Sequence, residues 1–123
     1  MKSRSSRVTL EIVMGSNKEI SRCTDVVMRN KDCIKASISL HSQGEMLLTS
    51  WGYTNQLPSD NELLLSIGNA AAAAIKKVNG RDYAVGPAGV VLYPAGGASD
   101  DFAKSTAGVT FAVTVELPGG GGR

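Results

Sequence analysis

A strict alternation of apolar and small polar residues over positions 34–41 constrains this chain more than any other feature. Ile34, Ala36, Ile38 and Leu40 share one parity, and Lys35, Ser37, Ser39 and His41 share the other. A period of two is strand geometry, because successive side chains leave opposite faces. A second run repeats the pattern: Val109, Phe111, Val113 and Val115 alternate with Thr110, Ala112, Thr114 and Glu116. Both runs end in an ionisable residue on the smaller, more polar face, His41 in one and Glu116 in the other.

Helical signals lie before and between these strands. Ser16 and Glu19 form a capping-box pattern, and Ile20, Cys23 and Val27 follow at helical spacing. Ser59 and Glu62 make a second capping-box pattern. Leu64, Ile67, Ala71, Ile75 and Val78 then mark one helical face through an alanine run. Lys76 and Lys77 suit the negative end of that helix, and Gly80 is a natural residue to end it. Shorter elements are expected as strands at Val8–Leu10–Ile12 and Met46–Thr49, and as a helix around Asp100 to Ser105. Trp51-Gly52-Tyr53-Thr54 reads as a turn, and Val90, Val91 and Leu92 lead into a Tyr93-Pro94-Ala95-Gly96-Gly97 loop. Strands alternating with helices predict an α/β fold with a parallel or mixed sheet. The expected organisation is a poorly ordered extension over 1–16, one domain over 17–117 and a glycine-rich tail over 118–123.

Composition excludes some partners. The net charge is +2, and no run of five like charges occurs, so the chain does not read as a nucleic-acid binder. No stretch of about 18 apolar residues is present, so no membrane-spanning helix is expected. Met1 to Arg7 are polar and basic with no apolar segment behind them, so a secretory signal is not expected in these residues. Cys23 and Cys33 fit either one disulfide or two thiols, and on their own they are too few to bind zinc.

In open α/β sheets, ligands bind beyond the carboxyl ends of strands. If the strands ending at His41 and Glu116 are parallel neighbours, a histidine and a carboxylate meet at one sheet edge. That pair suits a metal ligand with an acid/base beside it. Taken singly, each residue also has a plainer reading. A strand-end histidine is more often a hydrogen-bonded structural group, a strand-end glutamate is more often solvated, and Tyr93 before proline and glycine is more often a loop anchor.

Together, five segments resemble the zinc metallocarboxypeptidases, the family of pancreatic carboxypeptidases A and B. They are Lys35 to Ser42; Trp51 to Thr54; Asn79-Gly80 with Tyr83 and Val85-Gly86; Leu92 to Gly97 with Ser99 to Ala103; and Gly108 to Leu117. The resemblance covers about residues 17–117 and implies the carboxypeptidase-like α/β/α architecture, here incomplete. It implies zinc as the cofactor, with His41 as one metal ligand. It implies Glu116 as the general base toward the attacking water. Tyr93, Ser42 and Asp100 become substrate-binding residues, with Tyr93 near the substrate's C-terminal carboxylate. Asp100 matches the floor of the pocket for the C-terminal side chain, where an aspartate pairs with Lys or Arg. The expected partner is the C-terminus of a peptide or protein, and the expected setting is extracellular.

The chain departs from the family in one decisive respect. The family's zinc is held by a His-x-x-Glu pair plus a later histidine, and this sequence contains one histidine. Gln43 and Phe102 stand where Tyr and Trp are usual, and Leu117 runs into Pro118 and glycines. The expectation is therefore the later part of a catalytic domain, inactive by itself and prone to self-association through open sheet edges. The competing expectation is a module that binds peptide C-termini without catalysis.

Overall fold

The computed structural model describes residues 7–11 and 17–119. Five strands form one mixed sheet: β1 (Arg7–Glu11), β2 (Ile34–Ser42), β3 (Met46–Thr49), β4 (Ala84–Pro87) and β5 (Phe111–Leu117). Their spatial order is β1-β2-β5-β3-β4. β1 pairs with β2, β2 with β5, and β3 with β4, all parallel, whereas β3 and β5 are antiparallel. The α/β class and mixed sheet agree with the sequence expectation. Five of the residues assigned to the N-terminal extension form β1 and pair with β2. The expected capping box at Ser16, the first six residues and the end of the glycine tail lie outside the described residues.

The last strand in the sequence occupies the middle of the sheet. Three consecutive β5 residues, Ala112, Val113 and Thr114, are only 0%, 2% and 8% exposed. Consecutive strand residues face opposite ways, so both faces of β5 are covered. Ser37 and Ser39 of β2 are buried as well. The small polar face of the alternating pattern is therefore a packed face, and its short side chains let neighbouring elements approach closely.

Four helices cover this sheet. They are α1 (Asn17–Asn30), α2 (Asn61–Asn79), α3 (Ala88–Val91) and α4 (Ser99–Ser105). α2 and α3 flank opposite faces of β4. A Cβ on Gly68 of α2 would meet the Val85 side chain, and a Cβ on the next strand residue, Gly86, would meet Val91 of α3. α4 lies against β5 and β2. Val27 of α1 joins Ile34, Ala103, Ala107, Val109 and Ala112 in one apolar cluster. Burying such side chains contributes roughly 1.5–3 kcal/mol for each large one.

Two local expectations need correction. The Ser59–Glu62 capping box does not form. The residue before α2 is Asp60, which makes no side-chain cap; its carboxylate accepts from Lys104 Nζ at 2.6 Å instead. Val78 is exposed rather than on the buried face of α2, where Leu64 and Gly68 are buried. Val90 and Val91, for which no element was expected, belong to the helical turn α3, although β-branched residues favour extended backbone. No disulfide joins Cys23 and Cys33. No described helix is long and apolar enough to cross a membrane.

Two glycines hold their places for different reasons. Gly80 ends α2 in the left-handed region at φ 75°, its N–H donating to the Lys76 carbonyl. Gly89 donates its N–H to the Trp51 carbonyl at 2.9 Å. Any Cβ there would collide with the Thr54 carbonyl, which is backbone and cannot rotate away. Gly89→Ala should therefore lower unfolding stability by about 3 kcal/mol, the upper end of overpacking penalties. Gly80→Ala should cost about 1–2 kcal/mol, the usual left-handed penalty. Urea denaturation of both variants checks the order, and a milder effect at Gly89 would contradict the packing argument.

Candidate active site at the ends of two parallel strands

Parallel pairing of β2 with β5 sets His41 opposite Glu116 and Ser42 opposite Leu117. The two side chains leave the same face at the carboxyl ends of both strands. His41 Nδ1 lies 3.5 Å from Glu116 Oε1, with the histidine 49% exposed and the glutamate 14% exposed. An accessible imidazole thus stands beside a largely shielded carboxylate. Just past β2, the Gly44 N–H donates to the Leu117 carbonyl at 3.2 Å, tying the end of β2 to the end of β5.

α4 brings two aspartates to the site region, and their environments differ. Asp101 is buried and fully used: its carboxylate accepts from the Gly52 N–H at 2.9 and 3.0 Å and from the Tyr53 N–H at 2.9 Å. Asp100 is 3% exposed, and neither of its carboxylate oxygens has a hydrogen-bond partner. Burial pushes its carboxyl up to about 6, and the negative charge of Asp101 adds to the rise. The nearby N–H groups of Asp100 and Asp101 and the charge of His41 oppose it. Those N–H groups fall short of hydrogen-bond geometry, so the carboxylate remains unpaired.

Of the other candidates, Tyr93 lies apart from the strand ends and Ser42 lies at one of them. Tyr93 follows α3 on a surface loop and is 70% exposed. Ser42 is exposed at the end of β2. Lys104, in the last turn of α4, was not anticipated as a structural residue. It donates to Asp60 at 2.6 Å and to the Thr110 carbonyl at 3.3 Å, and it lies 6.0 Å from the Trp51 ring centroid. Asp101 likewise pairs with backbone 48 and 49 residues away. No local pattern announces such partners. The only sequence signal was an acidic pair opening a short helix, which the helix dipole already explains.

A model of the zinc carboxypeptidase family matches residues 4–122. The chain belongs to the zinc carboxypeptidase family. It is 33% identical over 102 residues to carboxypeptidase B of Astacus astacus, covering 83% of this chain and 34% of that protein. Human carboxypeptidase O is equally similar, at 33% over 102 residues, with 27% of its length covered. Among solved structures, carboxypeptidase A from Helicoverpa armigera superposes with a TM-score of 0.75 at 35% identity. That match covers 81% of this chain and 25% of the other. The chain therefore spans about a third or less of the relatives it matches. Relatives named A, B and O align comparably, so similarity alone does not choose among their specificities.

The family implies zinc, and the donor set can be tested against it. A catalytic zinc takes about three protein ligands and an open position. Among the described residues no group of three or more His, Cys, Asp or Glu side chains could hold a metal ion. His41 offers one imidazole with one carboxylate beside it, and no other histidine exists in the chain. These residues do not fit a zinc ion by themselves.

The burial of Asp100 gives a stability test with a defined sign. Its folded value near 6 lies above the ordinary 3.8, so the native state binds the proton more tightly. The group therefore costs stability as pH rises from about 4 to 6, and the full cost holds above 6. Asp100→Asn should stabilise the chain at pH 8 by up to about 3 kcal/mol and change little at pH 4. Thermal melts across that range check it, and equal effects at both ends would refute the burial argument.

Proposed function

We propose that this chain supplies one side of a carboxypeptidase active site that cleaves the C-terminal peptide bond, preferring C-terminal Lys or Arg. The observation that carries the reading is the in-register placement of His41 beside Glu116 at the ends of two parallel strands. In a longer protein that also supplied a His-x-x-Glu pair, His41 would hold zinc as one of its ligands, and the ion would polarise the attacking water. Glu116 takes a proton from the attacking water and passes it to the leaving amine. Its carboxylate is 14% exposed and lies 3.5 Å from the adjacent imidazole. Tyr93 and Ser42 hold the substrate's terminal residue. Asp100 receives a cationic side chain, since it is buried, charged at neutral pH and unpaired. Asp101 cannot take that role because its oxygens are already committed to backbone. The complete protein acts outside the cell in this reading.

The incomplete donor set favours a second reading for the 123 residues alone: docking of a peptide C-terminus without hydrolysis. The chain by itself is expected to show no peptidase activity, to hold far less than one zinc, and to associate through the sheet edges at β1 and β4. Stoichiometric zinc with turnover would overturn that statement, and a stable monomer in sedimentation would remove the association. In a protein that also supplies the His-x-x-Glu pair, Glu116→Gln should lower kcat by about 10³-fold with little change in KM. Asp100→Ala should abolish the preference for hippuryl-Arg over hippuryl-Phe. Retained rates after the glutamate change, or retained preference after the aspartate change, would sink the corresponding role.

A further inference from the structure

We infer that Asp101 is a positioning residue that fixes the loop carrying Tyr93 relative to the helix carrying Asp100. The relevance to substrate rests on the roles proposed above for those two residues, whereas the mechanical link rests on backbone geometry.

Two consecutive peptide planes make the link. In the Trp51–Gly52 plane, the Gly52 N–H donates to Asp101, and the Trp51 carbonyl accepts from the Gly89 N–H at 2.9 Å. In the Gly52–Tyr53 plane, the Tyr53 N–H donates to Asp101, and the Gly52 carbonyl accepts from the Ala95 N–H at 2.8 Å. A peptide unit is rigid and planar, so fixing its N–H fixes its carbonyl. One carboxylate thereby sets the direction of two carbonyls, which hold Gly89 in α3 and Ala95 in the following loop. Tyr93 lies between these two anchors. The next residue back along α4 from Asp101 is Asp100, so the same carboxylate ties both candidate docking residues to one frame.

The bonds to Asp101 are charge-assisted and buried, and such bonds polarise the next bond in a chain. The space around the planes is also closed. A Cβ on Gly52 would lie 3.3 Å from Asp101 Oδ2, 3.6 Å from Ala88 Cβ and 3.7 Å from the Ala95 carbonyl oxygen. Lys104 secures the other end of α4 through Asp60 and Thr110.

Amide hydrogen exchange on the 123-residue chain tests this directly, with Asp101→Ala and Asp101→Asn compared to the parent. In Asp101→Ala, Gly52 and Tyr53 should exchange about 100-fold faster, and Gly89 and Ala95 at least about 10-fold faster. Leu48 and Val113 should keep their rates. Asp101→Asn retains one acceptor oxygen and should fall between. Acceleration confined to Gly52 and Tyr53 would overturn the relay, because Asp101 would then hold only its own turn. Equal acceleration of the strand amides would also overturn it, by reducing the residue to a general stabiliser. In a parallel titration with hippuryl-lysine, Asp101→Ala should weaken binding by at least about 10-fold. If the parent chain fails to bind that peptide, the docking roles of Tyr93 and Asp100 fail, while the exchange result still decides the role of Asp101.

Discussion

Parallel pairing of β2 with β5 is the constraint on which the rest of the structure depends. The two strands come from distant parts of the sequence, yet their register runs unbroken from Ala36–Phe111 to Ser42–Leu117. Because side chains alternate with a period of two, a slip of one residue would send Glu116 to the opposite face from His41. The buried residues forbid that slip. Ala112 and Val113 face opposite ways and each is fully packed, so exchanging them would leave a void on one face and a clash on the other. Core packing along the strand thus fixes the geometry of the polar pair at its end.

α4 shows a different way of placing function on structure. Two adjacent aspartates enter the same short helix, and one is consumed by backbone N–H groups while the other is left without a partner. An unpaired buried carboxylate is costly, and in this position the cost appears as a raised affinity for a proton. The helix tolerates it because it is fastened at both ends, by Asp101 to Gly52 and Tyr53 and by Lys104 to Asp60 and Thr110. Neighbouring residues with the same chemistry thus divide the work of holding the helix and presenting a charge.

Much of this fold was legible in the sequence where local pattern and tertiary context agreed. The alternations of β2 and β5 were clear, as were the α2 apolar face up to Ile75 and the glycine that ends that helix. Their strand-end residues identified the candidate pair before any pairing was known. What escaped was set by distant partners. β4 is four residues long and contains Gly86 and Pro87, poor strand formers; it is extended because β3 offers it a parallel ladder. α3 winds into a helical turn against the preference of Val90 and Val91, with Gly89 held by the Trp51 carbonyl. Ser59 lost its capping role because Asp60 precedes the helix and is drawn to Lys104. The burial of Ser37 and Ser39 was also hidden, since a small polar face reads the same whether it meets solvent or another layer.

The contrast between Asp100 and its surroundings carries the specificity argument furthest. A buried carboxylate can be neutralised from within the protein by an arginine or lysine, by several N–H donors, or by a proton. The cation on the same helix, Lys104, is already held by Asp60 and by a backbone carbonyl. The N–H donors of the adjacent turn go to Asp101. With a value near 6, the proton leaves at neutral pH. The nearby N–H groups of Asp100 and Asp101 and the charge of His41 offset the burial only in part, so the charge persists in a site from which water is largely excluded. In the proposed role, completing it would take a cation delivered from outside on a chain long enough to reach a buried floor. The proposed preference rests on that match: the side chain of a C-terminal lysine or arginine has the length and charge, and an aliphatic one would leave the carboxylate as costly as before.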